Sequence, residues 1–428
     1  MILETATAIQ TRQVLAYGVL GFPLAFAALP LYVHVPRLYA DSVGLPLALV
    51  GALLLVTRFA DALIDPLLGQ WSDRLGNRRR LIALALPLLA LGLAALLAPP
   101  ESGGAVWLVL TLAVTFLGFS LATINYHAWG AELGATPQER VRVTAAREMF
   151  ALGGVVVAAA LPSVLANDVP TAMQHLGWVF VPLLAIAALA TLAGAPATHD
   201  PAPAAGPPAL LTAVFRDRRF RRLLIVLAVG GIASAIPATL VLFFIADVLR
   251  LAEWQGLFLV VYFVCGGIAL PGWVALARRH GKVAAWAASM VLAIASFVWA
   301  FLLDAGDGVA FGLICAASGA ALGAELALPP ALLADRLADG RRAGNGAAGA
   351  GAYFGVWNFV TKFNLALAAG IALPLVSLGG YKVGAGATAP ADGLLALAAI
   401  YALLPAAIKV ISLLLLWRWK DDFEGAKP

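Results

Sequence analysis

The chain has 428 residues, 62% of them hydrophobic and only 12% charged, and its mean hydropathy is +0.93. A soluble domain is nearer half apolar and a quarter charged. This composition therefore excludes a soluble enzyme and a disordered chain, because so few polar side chains cannot cover the surface of a water-soluble fold. A helix needs about 20 apolar residues to cross a bilayer, or roughly 30–40 with its connection. The length therefore predicts about twelve spans. The apolar runs are continuous rather than alternating with period two, which argues against a membrane β-barrel.

In chain order, spans are predicted near 14–36, 46–70, 81–98, 105–128, 144–166 and 175–195, then near 222–247, 253–276, 283–303, 308–332, 350–376 and 391–418. Met1–Gln13 lacks the apolar core of a cleavable signal, so the first apolar segment is expected to be a retained span. Between the two sets lies a Pro- and Ala-rich stretch followed by Arg216, Arg218, Arg219, Arg221 and Arg222. The expected architecture is an all-α membrane protein with twelve transmembrane helices in two six-helix halves. Its predicted parts are residues 1–195, a cytoplasmic linker at 196–221, and residues 222–428.

The net charge is +5. In a membrane protein such an excess marks cytoplasmic loops rather than nucleic-acid binding. Assigning alternate loops to the cytoplasm puts 22 of the 28 Lys and Arg residues on that side and three opposite, with both termini inside. Cys265 and Cys315 both lie inside apolar runs, and neither a disulfide framework nor a metal-ligand spacing is expected.

The two halves carry a weak repeat. After the second predicted span comes Gly69, then Asp73-Arg74, Gly76 and Arg78-Arg79-Arg80; after the eighth comes Gly272, then Arg278-Arg279, Gly281 and Lys282. The first loop resembles the cytoplasmic gate loop of the major facilitator superfamily. On that resemblance Gly69, Asp73, Arg74, Gly76 and Arg78 are its key positions, and binding is expected near the midplane between parallel halves.

Three ionisable groups sit inside the second predicted span. Arg58 and Asp65 are seven residues apart, and Asp61 is three and four residues from them, so all three share one helix face. Each costs about 2.5–3.5 kcal/mol at a helix centre on insertion scales. An internal salt bridge accounts for Arg58 and one carboxylate but leaves the other over. An i,i+4 carboxylate pair suits a monovalent cation, which wants several oxygens. It equally suits a proton, because two close carboxylates raise one pKa. Lys362 falls near the middle of the eleventh span and is expected to face a polar cavity and couple to the carboxylate pair. Glu325 in the tenth span either neutralises Lys362 or lines the solute site. Lys409 in the twelfth is expected to snorkel.

Arg58-x-x-Asp61-x-x-x-Asp65-Pro66-x-x-Gly69 resembles the signature of the glycoside–pentoside–hexuronide:cation symporters. Tyr39-x-Asp41, Tyr126-x-Ala-Trp129-x-x-Glu132, Glu139-Arg140 with Arg147, and Gly351-x-Tyr353-Phe354 leading to Thr361-Lys362 follow in the same order. The resemblance implies that Asp61 and Asp65 bind the coupling cation with Ser120 nearby, as the metal site if the ion is Na⁺. It further implies that Lys362 links cation and solute sites and that Arg147 lies near the sugar. Ile64 stands where the family has an asparagine ligand, which leaves Na⁺ and H⁺ both open. The two sugar-gripping carboxylates of the family align with Ala25 and Thr123. In their place the region offers aromatic groups, and Tyr32, Tyr126, Trp129 and Trp357 are expected to join Arg147 at the solute.

The expected function is a cation-coupled symporter of a sugar or glycoside working by alternating access. One alternative keeps the mechanism with a lysolipid or other amphiphile as cargo. Another is a receptor or scaffold that does not transport. No phosphate-cradling loop or nucleophile–base pair points to an enzyme. The expected partners are a small solute, Na⁺ or H⁺, and the bilayer, with no cofactor and no nucleic acid. The expected form is a monomer in the cytoplasmic (inner) membrane of a bacterium.

Overall fold

The computed structural model describes residues 9–35, 38–39, 43–100, 103–166, 168–196, 211–342, 349–381 and 390–424, and all regular structure among them is helical. The elements are α1 (Thr11–Gly18), α2 (Gly21–Leu29), a π-helical segment Pro30–His34, α3 (Leu47–Leu75), α4 (Arg78–Leu97), α5 (Ala105–Leu133), α6 (Pro137–Ala160), α7 (Pro162–Leu165) and α8 (Val169–Gly194). Then follow α9 (Leu211–Arg216), α10 (Arg218–Phe243) running into a π-helical turn Phe244–Val248, a 3-10 turn Ala252–Trp254, α11 (Gln255–His280), α12 (Lys282–Ala300), α13 (Gly308–Arg342), α14 (Ala350–Leu378), α15 (Ala391–Arg418) and α16 (Lys420–Glu424). Twelve membrane-length segments are described, and nine of the described helices are long and apolar enough to span by length and composition alone.

The first predicted span is not one helix but two helices and a π segment. Pro23 and Pro30 each lack the N–H that would continue the i→i−4 ladder. Several other helices outrun the apolar stretch that marks them. The fifth predicted span begins at Pro137 rather than 144, where Thr136 and Glu139 form a capping box. The tenth ends at Arg342 rather than 332. A helix started in hydrocarbon continues through charged residues once its ends reach water. The predicted linker is partly helical at α9 and in the first turn of α10, and residues 197–210 lie outside the described residues.

Two compact units account for the chain: residues 1–216 with 334–359, and residues 217–333 with 360–428. The first unit is built on α1–α8 plus the last residues of α13 and the first ten of α14. Its apolar core runs through Leu20, Phe26, Leu89, Leu112 and Phe180. The second has its own core around Phe244, Phe258, Phe311 and Tyr401, with Phe244 and Tyr401 stacked at 4.2 Å. Large apolar residues such as Leu91, Ile268 and Leu414 are exposed on the outside, where lipid rather than water is their solvent.

The sequence repeat is also a structural one. The basic turn after α3 passes through Gly76 at φ 74°, and the turn after α11 passes through Gly281 at φ 87°. Both need a residue without Cβ to reach the left-handed region. Each turn starts the next helix at once, with the Asn77 side chain accepting Arg80 N–H at 2.9 Å in the first.

Candidate functional site

Helix α3 carries the expected charges on its protein-facing side. Asp61 and Asp65 are buried and Arg58 is half-buried, whereas Phe59, Leu63, Ile64 and Leu67 are exposed. The 3.6-residue period sorts the polar and apolar faces of this helix as the spacing predicts. Ser120 on α5 donates to Asp61 Oδ1 at 2.7 Å. The structure thus joins Ser120 to Asp61 and buries Asp65 one turn further along the same face of α3. Ile64 is 44% exposed, so its side chain flanks the carboxylates without joining them in the interior. Pro66 does not break the helix, which runs unbroken from Leu47 to Leu75.

At the end of α3 the loop residues form a connected cluster inside the first unit. Asp73 accepts the backbone N–H groups of Gly351 at 2.8 Å and Ala352 at 2.7 Å, both in the first turn of α14. Arg78 pairs with the same carboxylate and donates to Ser72 Oγ at 2.6 Å. Ser72 in turn donates to Asn125 on α5. The close approach of α3 and α14 rests on Gly69 and Gly351: a Cβ on Gly69 would stand 2.1 Å from the Gly351 carbonyl oxygen. Arg74 is exposed and Gly76 makes the turn. A second tie joins Arg140 of α6 to Asp335 at 2.7 Å.

The expected solute contacts divide. Arg147 is buried, and its Nε and Nη2 both donate to Glu148 Oε1, at 2.9 and 2.5 Å. Spacing rules miss Glu148 because neighbours on a helix point about 100° apart; only the length of the two side chains lets them meet. Trp357 is buried. The side chain of Tyr32 lies outside the described residues.

The expectation for Tyr126 and Trp129 is corrected. Both are fully buried, and their polar atoms are taken by backbone. Tyr126 donates to the Tyr17 carbonyl at 2.6 Å, and Trp129 Nε1 donates to the Pro196 carbonyl at 3.3 Å. Tyr17 completes the lock by donating to the Tyr126 carbonyl at 2.8 Å. These rings pack α1 against α5 rather than facing a solute.

In the second unit Glu325 does not wait for Lys362. Its Oε1 accepts from Lys409 Nζ, and its Oε2 accepts from Ser234 Oγ at 2.9 Å. Lys409 also donates to Ser234 Oγ at 2.8 Å and to the Gly230 carbonyl at 3.2 Å. Lys409 is 5% exposed, so the snorkelling expectation is corrected as well. Three acceptors inside the protein replace the water it would otherwise seek. Lys362 is half-buried on α14. Among the described residues no cluster of three or more His, Cys, Asp or Glu side chains could hold a metal ion.

The profile of a family described as MFS/sugar transport protein matches residues 14–421. The chain belongs to this family. The chain is 32% identical over 149 residues to the uncharacterized symporter YnaJ of Bacillus subtilis, covering 33% of this chain and 32% of that protein. It is 23% identical over 179 residues to the uncharacterized symporter YjmB of the same organism, covering 39% of each. The matches thus span less than half the length of these curated relatives. Among solved structures it is similar to a bacterial homologue of the iron transporter ferroportin, with TM-score 0.69 at 16% identity over 96% of this chain and 100% of that one. It is also similar to the Escherichia coli fucose:proton symporter FucP, with TM-score 0.68 at 14% identity over 95% and 98%. At such identities these likenesses show the fold, which is that of the major facilitator superfamily. The chain is therefore a multi-pass membrane protein of a transporter family, not an enzyme.

Proposed function

We propose that this chain is a secondary active symporter that couples Na⁺ or H⁺ to a small polar solute, a sugar or glycoside, by alternating access. The observation that carries the reading is the burial of Asp61 and Asp65 on one face of α3, with the Ser120 hydroxyl on Asp61. Two carboxylates at that depth cost several kcal/mol, and a coupling cation that neutralises them offsets the cost. The cation then favours the state in which both ligands bind, and the solute shares the benefit by linkage. Two relatives named as symporters and a fucose:proton symporter of the same fold support it.

In this reading Asp61, Asp65 and Ser120 hold the cation, Arg58 tunes their charge, and Arg147 with Trp357 meets the solute. The Asp73 cluster is a clasp that must open for the carrier to turn over. The Lys and Arg bias supports cytoplasmic termini; the proposed setting is a bacterial inner membrane and the proposed working unit a monomer.

An amphiphilic cargo, such as a lysolipid, is the second reading. It is favoured by Ala25 and Thr123, which stand where the resembled symporters carry sugar-gripping carboxylates. The Thr123 hydroxyl hydrogen is already given to the Phe119 carbonyl at 2.8 Å.

The test is uptake into proteoliposomes across a panel of sugars, glycosides, uronates and lysolipids, under an imposed Na⁺ or H⁺ gradient. Gradient-driven accumulation that disappears in Asp61→Asn and Asp65→Asn supports the reading. Accumulation that ignores both gradients, or survives both substitutions, overturns it.

A further inference from the structure

The cytoplasmic ends of α10 and α15, which pack together in the second unit, carry a feature that symport leaves unused. Within residues 217–222 and 418–422, six cationic side chains stand against three acidic ones. Two of the three acids are already engaged. Asp217 caps α10 by accepting the Arg219 and Phe220 N–H groups, and Asp422 pairs with Arg222. The Arg222 guanidinium also lies 5.3 Å over the Trp419 ring. Asp421 is exposed. Around this occupied centre, Arg218, Arg221 and Arg418 lie close enough to repel the charge of Arg222. All three are exposed.

A solvated patch left by the positive-inside bias needs no more explanation than that. The apolar surface beneath this one adds a second observation. On α10 the exposed face reads Arg218, Arg221 and then Ile225; on α15 it reads Ile411, Leu414, and then Trp417 and Arg418. Both lipid-facing stripes therefore end in cations at the same end of two packed helices. Trp417 is 57% exposed, and Lys420 Nζ sits 4.8 Å over its ring. Exposed tryptophan beside Lys and Arg marks the headgroup level of a membrane.

We propose that this surface is a binding site for one anionic phospholipid of the cytoplasmic leaflet. Arg218, Arg221 and Arg418 take its phosphate and headgroup, and its acyl chains lie along Ile225, Ile411 and Leu414. Guanidinium groups suit a phosphate because their forked donors match its oxygens. Basic pockets between helices on this side of a membrane hold such headgroups. The site needs both chemistries at once, so a free phosphate is a poor substitute.

The test is native mass spectrometry on the purified full chain with equimolar phosphatidylglycerol and phosphatidylcholine of identical acyl chains. Wild type is expected to retain phosphatidylglycerol in preference by about fivefold or more. The preference is expected to vanish in the triple variant Arg218→Gln, Arg221→Gln, Arg418→Gln and to fall only in part in the corresponding triple Lys variant, which keeps the charge but not the forked donors. Inorganic phosphate at millimolar concentration is expected to leave the bound lipid in place. Should the Gln triple not purify as a monodisperse protein, the three single Gln variants carry the test, each lowering the preference. An equal affinity for the two lipids in wild type overturns the proposal. So does a preference unmoved by the Gln variants, or displacement of the lipid by inorganic phosphate.

Discussion

The carboxylate of Asp73 accepts the backbone N–H of Gly351 at 2.8 Å, across 278 residues of chain. An anion at a helix N-terminus meets unpaired amides and the positive end of the helix dipole, an arrangement worth about 0.3–1 kcal/mol exposed and up to ~2 kcal/mol when partly buried. Arg78 pairs with the same carboxylate oxygen, Oδ1, so the clasp depends on a charge that is itself held in place. Asp73→Asn keeps the shape and removes the charge. It is expected to lower the initial uptake rate roughly five- to tenfold, with membrane yield unchanged. Gly69→Ala is expected to be worse, because its Cβ meets the Gly351 carbonyl; overpacking of this kind costs about 1–3 kcal/mol. Uptake assays beside thermal unfolding of the purified protein check both, and wild-type rates in Asp73→Asn would remove the clasp from the mechanism.

Ser120→Ala removes one oxygen from the cluster and leaves both carboxylates. Losing a hydrogen bond to a charged group costs about 1.5–3 kcal/mol. The expected result is a rise of at least tenfold in the cation concentration that half-saturates uptake, with the maximal rate preserved. Titration of uptake against Na⁺ and against pH reads this directly, and an unshifted midpoint for both ions would take Ser120 out of the cation site.

The Glu325–Lys409 pair predicts a non-additive stability pattern. Side-chain exposure is 17% for Glu325 and 7% for Lys409, so removing one partner strands the other at membrane depth. Lys409→Met alone is expected to destabilise by about 3–5 kcal/mol, and adding Glu325→Gln is expected to restore part of that loss. A double-mutant cycle by thermal unfolding measures the coupling. Additive effects would mean that the two side chains do not act as a pair.

A fourth prediction concerns pH. Asp168 caps α8 outside the membrane, and its carboxylate is held below its usual pKa by the Thr171 backbone N–H it accepts at 2.9 Å and by the Thr171 hydroxyl. A carboxylate with a depressed folded pKa adds stability that is fully present above its unfolded pKa. That stability is lost as pH falls through the folded value. The melting temperature of Asp168→Ala is therefore expected to lie below wild type at pH 7, with the gap narrowing at pH 3. A gap that widens on acidification would contradict the cap.

Much of the candidate site was legible in the chain because it lies on one helix. Arg58, Asp61 and Asp65 needed only the 3.6-residue period to fall on one face, and the structure buries both acids while exposing Ile64. The glycines of the basic turns were legible too, since a turn that must start a helix at once has few alternatives to a positive φ. Pairing between helices was not legible. Nothing in the local sequence joins Glu325 to Lys409, 84 residues away, and a lysine two turns inside a span reads equally well as snorkelling. Tyr126 and Trp129 misled for a related reason: an aromatic ring with a polar tip suits a solute and a backbone carbonyl alike.

By itself, then, the sequence determined the membrane as solvent, the number of crossings and the face on which α3 carries its charge. Each of these follows from local composition or from a period along one helix. Only the tertiary structure decided which charges neutralise one another, which aromatics are packing, and that Asp73 lies at the start of α14. Those contacts depend on how each helix is rotated and tilted against its neighbours. In lipid that is set by close packing of small residues and by the need of every buried polar atom for a partner, neither of which is written within a single span.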